Sequence, residues 1–238
     1  MTSSSANLAP DPVRRLPPET DGSLADTLCR TAAQLDLSLP MPGDKWERKA
    51  EFSNDGRRVV VLVLRDERGY WVRCHKQGAW LATGVTAELI AVVRAAAAWM
   101  GGAGLEQTRD VAPFIRFGDW AVAHEREPLD PVELAWCHKL DSLRLSPWDR
   151  SPRNLALLEA AYARPELRRL TPVTSHFMLW FSTRAHFPYA RVGYSIDPHP
   201  DGRYVVRDKG DVVAHTASPE EAVALVVAAL PMDIGPAR

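Results

Sequence analysis

The chain has 238 residues, 46% of them apolar and 25% charged, with a formal net charge of −1. This length fits one large or two small domains burying roughly two-thirds of the unfolded surface, and the composition is that of a folded rather than a disordered chain. Twenty-nine basic residues against thirty acidic ones leave no excess charge to attract nucleic acid or an anionic membrane, so neither is expected as a partner.

Three cysteines, Cys29, Cys74 and Cys137, are an odd, dispersed set, which predicts a reducing compartment rather than a disulfide scaffold. The opening MTSSSANLAPDPVRR lacks the basic start and apolar core of a signal peptide. No run approaches the ~18 apolar residues that span a bilayer. A cytoplasmic location is the expectation.

Residues 1–22, rich in serine and proline and poor in large apolar side chains, read as a flexible tail. Residues 23–110 form a first half. There LADTLCRTAAQLDL sets Leu24, Leu28 and Leu35 on one helical face behind a Ser23 cap, and LPMPG ends the helix. Runs from Trp46 to Phe52, Val59 to Leu64, Tyr70 to Arg73 and at Trp80-Leu81 alternate with turns at Asn54-Asp55-Gly56, Asp66 to Gly69 and Gly78. Short β-branched or aromatic runs between such turns predict an antiparallel meander. Thr86-Ala87-Glu88 then opens a helix that Gly101-Gly102 stops near Met100.

Residues 111–170 read as a helical linker. Asp130-Pro131-Val132-Glu133 is a capping box ahead of a helix with Val132, Trp136, Leu140 and Leu143 on one face. Ser151-Pro152 starts a second helix with Leu155, Leu158 and Tyr162 on one side, and Arg164-Pro165 ends it.

Residues 171–238 repeat the outline of the first half. Tyr204-Val205-Val206-Arg207 echoes Tyr70-Trp71-Val72-Arg73, and Gly210 introduces Val212-Val213-Ala214 as Gly78 introduces Trp80-Leu81-Ala82. Ser218-Pro219-Glu220-Glu221 opens the closing helix as a capping box, with Thr86 in the Ser218 place of the first copy. The expected fold is α+β: two similar antiparallel meander-plus-helix halves joined by the helical linker, each sheet covered by helices and the halves packed as one unit. Internal duplication and independent use of a common unit both fit. The run AVALVVAAL, Ala222 to Leu230, has no charge, so that helix is expected to be covered on two sides. Its second cover is either a partner, a homo-oligomer among them, or the rest of the same monomer.

Cys-His-Lys occurs twice, at Cys74-His75-Lys76 and Cys137-His138-Lys139. Adjacent residues diverge on a helix or a strand, whereas zinc ligands come from residues spaced to converge, so no metal site is expected. His138 falls opposite the Trp136 face and is expected in solvent. The chain has no Gly-x-Ser-x-Gly elbow, phosphate loop or Gly-x-Gly-x-x-Gly fingerprint. No cofactor is predicted. Arg164, Arg168 and Arg169 read as a solvated helix end, and most of the eight tryptophans as core.

The strongest candidate for chemistry is Thr171 to Arg184, TPVTSHFMLWFSTR. Read as one strand apolar on both faces, it would be central to a sheet covered twice, with polar groups at its ends. The candidate catalytic residues are His176 as general base or acid, Arg184 as a carboxylate or oxyanion partner, and Ser175 beside them. A core histidine and a surface arginine are the structural alternative.

With LRRLTPVTSHFMLWFSTR, DGRYVVR, SPEEAVALVVAALP and the closing GPA, the chain resembles an uncharacterised family of high-GC bacteria, a domain of unknown function described as a natural product biosynthesis protein. Pro172, Thr174, Ser175 and His176 match its Pro-x-Thr-Ser-His element, and Val173 stands where the family has an aromatic residue. The resemblance implies a specialised-metabolite pathway and the tailoring of a ribosomally made peptide. One version is a cofactor-independent lyase or cyclase that closes thioether rings, with His176 forming the thiolate and Arg184 stabilising an enolate. Its substrate would be a peptide or small molecule. The competing class is a non-catalytic module that recognises a peptide or stabilises a biosynthetic enzyme partner, using exposed strand edges.

Overall fold

The computed structural model describes residues 22–64, 68–145, 152–175 and 177–238. Two five-stranded antiparallel sheets, each a meander in chain order, carry helices on one face. The first half opens with α1 (Leu24–Gln34), where Ser23 Oγ accepts from the Asp26 amide and the Asp26 carboxylate accepts from the Ser23 amide. Strands β1 (Pro42–Lys45), β2 (Lys49–Asn54), β3 (Arg57–Val63), β4 (Tyr70–Lys76) and β5 (Ala79–Thr86) follow, then α2 (Leu89–Met100). The run expected from Trp46 starts instead at Lys49, and Trp46 is exposed ahead of it. Helix α2 also begins later than expected. Glu88 is its N-cap, and Thr86 Oγ1 accepts from the Glu88 amide.

After α3 (Leu105–Val111) the chain runs back along β5, where Thr83 and Arg116 exchange backbone hydrogen bonds of 2.8 and 2.6 Å. A Cβ at residue 84 would collide with the Phe114 carbonyl, so only glycine lets this segment lie so close. Then come α4 (Asp119–Arg126), α5 (Pro131–Arg144), α6 (Pro152–Tyr162) and α7 (Pro165–Arg168). Asp130 caps α5 through the Val132 and Glu133 amides. The second sheet is β6 (Thr171–Ser175), β7 (Met178–Ser182), β8 (Arg191–Pro198), β9 (Tyr204–Asp208) and β10 (Asp211–Thr216), closed by α8 (Pro219–Ala228). Ser218 Oγ accepts from Glu221, whose carboxylate reaches back to the Ala217 amide.

Thr171 to Arg184 is therefore not one central strand. It is a hairpin, Thr171 paired with Ser182 and Ser175 with Met178, and β6 is the edge of its sheet. The expected flexible tail, apart from Gly22, lies outside the described residues, as do Asp66 and Glu67 of the Asp66 to Gly69 turn, Trp148 and Ser151.

Each half has its own core. Phe52, Val61, Val72, Trp99 and Ile115 belong to the first; Trp136, Leu157, Phe181, Ile196, Val206 and Val226 to the second. Buried indoles keep a partner, Trp99 donating to the His75 carbonyl and Trp136 to that of Leu170, which removes the cost of an orphaned donor. Helix α8 lies between its own sheet and α6, with Ala224 and Ala228 on its exposed side, so the same monomer supplies the second cover. Helix α5 bridges the halves. Val132, Trp136 and Leu140 enter the second core, while Asp141 accepts from the Trp120 indole and His138 meets the Trp80 ring edge-on. His138 is thus half-buried, not solvated: the helix face opposite Trp136 docks on the first half. Among the described residues no helix is long and apolar enough to cross a membrane.

Candidate functional site

In the second sheet the helices cover one face and leave the other to polar and aromatic side chains. Alternation along the strands decides which residues stand there. In the second half, Ile196 and Val206 face the core, so their neighbours Ser195, Asp197 and Arg207 stand on the open face, as do Met178 and Trp180 beside core-facing Leu179. Gly193, with φ +62°, sits where the β7–β8 register shifts, and the resulting bulge bends β8.

At one end of this face is a cleft of about 420 Å³. Met178 and Ser175 form one wall, Arg191, Ser195 and Asp197 the floor, and Arg207, Lys209 and Gly210 the opposite wall. Buried Ser195 accepts from Arg191 Nη2 at 2.7 Å. Arg207 donates to the Gly210 carbonyl at 3.3 Å and lies 3.9 Å from Asp197. The lining thus has three cations and one carboxylate, and Arg207 is the cation paired with it. Beside the cleft, Phe177 adopts φ +74° with 64% of its side chain exposed, a conformation that strains an aromatic residue and persists only where the surroundings impose it.

An aromatic row continues along the face from Trp180. Tyr189 meets Trp180 edge-on at 6.1 Å, and Phe187, 84% exposed, meets Tyr189 at 6.2 Å. The loop carrying the row contains a cis Phe187–Pro188 bond. It is tied to β7 by fully buried Ser182, whose hydroxyl accepts from the Arg184 and Ala190 amides and donates to the Arg184 carbonyl.

Of the three predicted residues, Ser175 lines the cleft, and His176 lies outside the described residues. Arg184 is exposed in the aromatic loop, donating to the Pro188 carbonyl at 3.4 Å. Ser175 pairs with Met178 at the start of β7, and Arg184 follows Ser182 at its end, ends that lie roughly 13 Å apart at ~3.3 Å per residue.

The corresponding face of the first half is closed. Arg73 holds the place of Arg207 in the YWVR and YVVR strands, but its guanidinium lies 4.7 Å from the Trp71 ring and 5.7 Å from that of Trp80. Val205 replaces Trp71 in the second half, which leaves Arg207 open. Arg58 Nη2 lies 3.2 Å from His75 Nδ1. A guanidinium can only donate, so Nδ1 accepts and the ring proton sits on Nε2, a buried atom without a hydrogen-bond partner among the described residues. Burial, helped by Arg58 and Arg73, holds His75 down to about 3. Burial, then Lys139 and Arg73, holds His138 down to about 4. Burial also pushes the Cys74 thiol up to about 12, where it is inert as a nucleophile. Sequence reading missed Arg191, Arg207 and Lys209 as a group. The visible signal was the repeated Tyr-x-Val-Arg, whose arginine alternation turns away from the core.

Residues 130–238, a little under half the chain, are similar to a family described as a family of unknown function (DUF6193). The stretch comprises the bridging helix α5 and the whole second half. No curated protein and no solved structure matches the chain.

Proposed function

We propose that this protein is a non-catalytic binding module that recognises an extended peptide on the open face of its second sheet. In the specialised-metabolite setting that the sequence resemblance implies, the ligand is a ribosomally made peptide or a segment of a biosynthetic enzyme. One observation carries the reading: a cleft in which Arg191, Arg207 and Lys209 outnumber Asp197 opens beside an exposed row of Trp180, Tyr189 and Phe187. The cations suit a carboxylate. The rings offer a large apolar platform at little entropic cost, because each turns about only two side-chain bonds.

The test is titration of the full chain with a peptide carrying aspartates at one end and leucines at the other. Saturable binding that weakens with salt is expected, since the cleft charges are partly exposed. Arg207→Glu should weaken it at least tenfold, on the order of 1.4 kcal/mol or more. Equal binding by wild type and Arg207→Glu would sink the reading. Covalent change of a second peptide, carrying a cysteine and a dehydrated residue, would instead make the protein a peptide-modifying enzyme, read for thioether closure as loss of the free thiol at unchanged mass, with His176, Ser175 and Arg184 the first positions to replace.

A further inference from the structure

The two halves treat the same strand edge differently. Sheet pairing sets the correspondence: Tyr70 pairs with Thr86 and Arg73 with Thr83, while Tyr204 pairs with Thr216 and Arg207 with Val212. Val212 therefore stands where Thr83 stands. In the first half that edge is covered, because Thr83 exchanges two backbone hydrogen bonds with Arg116 in the segment after α3. In the second half β10 is the last strand, and among the described residues no segment pairs with its outer side.

Two large apolar side chains stand on that edge. Val212 and Val213 are 49% and 46% exposed, and of the usual guards of an open edge the strand has a bulge but no lysine or proline. A bulge between Val212 and Ala214 leaves Val213 unpaired on β9. The strand has six residues, roughly 20 Å of edge. That is too little, taken alone, for the 1,200 Å² or more that a stable dimer buries, at roughly 5 Å from strand to strand. Asp208 and Asp211 pair across the β9–β10 turn, both exposed, with Lys209 between them, so the turn at the N-terminal end of the edge carries one net negative charge. The segment covering the first edge brings a basic residue, Arg116, to its bridge.

We propose that the outer edge of β10 is a second docking surface, independent of the open face. It takes up an extended, β-branched segment of a partner protein as an antiparallel sixth strand, with a basic residue of that segment against Asp211. Backbone hydrogen bonds supply the affinity. Contacts of Val212 and Val213 with the partner's side chains supply selectivity for apolar sequence.

The probe is a labelled peptide of about six residues alternating valine and threonine, a typical strand length, with lysine at its C-terminal end, which antiparallel pairing sets beside Asp211. With the full chain, the expected result is saturable binding and slowed amide exchange confined to β10. Val213→Lys should weaken it at least tenfold without lowering Tm, because the side chain it replaces is half exposed. Asp211→Lys should also weaken it, whereas Arg207→Glu, which disables the cleft, should not. Absence of binding, or equal binding by Val213→Lys, overturns the proposal. So does protection that maps away from β10. Self-association abolished by Val213→Lys but not competed by the peptide overturns it as well, since a second copy would then be the occupant.

Discussion

His75 and His138 are neighbours of Arg73, and the structure keeps both neutral. His75 faces Arg58, Arg73, His138 and, more weakly, Glu51; His138 faces Lys139, Arg73 and the Trp80 ring. Desolvation disfavours the imidazolium, and the surrounding cations add to that. Unfolding returns both rings to an ordinary value near 6.5, so below that pH the unfolded chain binds more protons than the folded one. Stability then falls as pH falls from about 6.5 toward 4 and, through His75, toward 3. His138→Phe keeps a ring against Trp80 and removes one titration. Its Tm, followed from pH 7 to pH 4, should decline less steeply than that of the wild type, and parallel curves would contradict this. At this scale the sequence was only partly readable. Adjacent Cys and His residues were correctly set on diverging directions, but no pattern within α5 reveals that the face opposite Trp136 is also buried. That burial comes from Trp80 and Trp120, far away in sequence.

At the scale of elements, the meander strands and helix caps were legible because each rests on local chemistry: the β-branched runs of β3 and β9, Asn54-Asp55-Gly56 between β2 and β3, Ser23 and Ser218 at helix starts. The β6–β7 hairpin was not. Between Ser175 and Met178, where the chain reverses, the sequence has no glycine, proline or asparagine, and Phe177 takes the positive φ that such residues usually supply. Candidate residues were therefore assigned to faces of a strand that does not exist, although Ser175 still lines the cleft. The covering of β5 was equally hidden, since Gly84 reads as a weak point in a strand until Phe114 is seen over it. That glycine gives a prediction. Gly84→Ala must push the Phe114 backbone away, which should cost about 1–3 kcal/mol as an overpacked site. It should also speed amide exchange at Thr83 and Arg116, whose mutual hydrogen bonds depend on the close approach. Unchanged denaturant midpoint and exchange would show that the segment yields without loss.

At the scale of the whole molecule, the halves share an order of helix, five-strand meander and helix, yet differ in what is left open. Tryptophans close the open face of the first sheet over Arg73, and α5 docks beside them. The second sheet keeps valine where Trp71 stands, an accessible Arg207 and an uncovered β10 edge. That contrast between two similar halves, one face closed and the other open, is what the proposed peptide recognition rests on. Helix α5 belongs energetically to the second half. Trp136, fully buried, contacts Tyr162 and Phe181 and hydrogen-bonds Leu170, all within the second half. Its contacts with the first half include the polar Trp120–Asp141 bond, the edge of Trp80 and a close approach to β5. A fragment of residues 130–238 should therefore fold cooperatively by itself, with a native-like indole environment for Trp136. A fragment of residues 22–129 should be less stable than the same region in the full chain, because Trp80 and Trp120 lose their cover. Thermal melts followed by tryptophan fluorescence and amide dispersion in NMR would check both. A disordered 130–238 fragment would mean that docking on the first sheet, not the Trp136 core, holds α5 in place, and the two halves would then have to be treated as one cooperative unit.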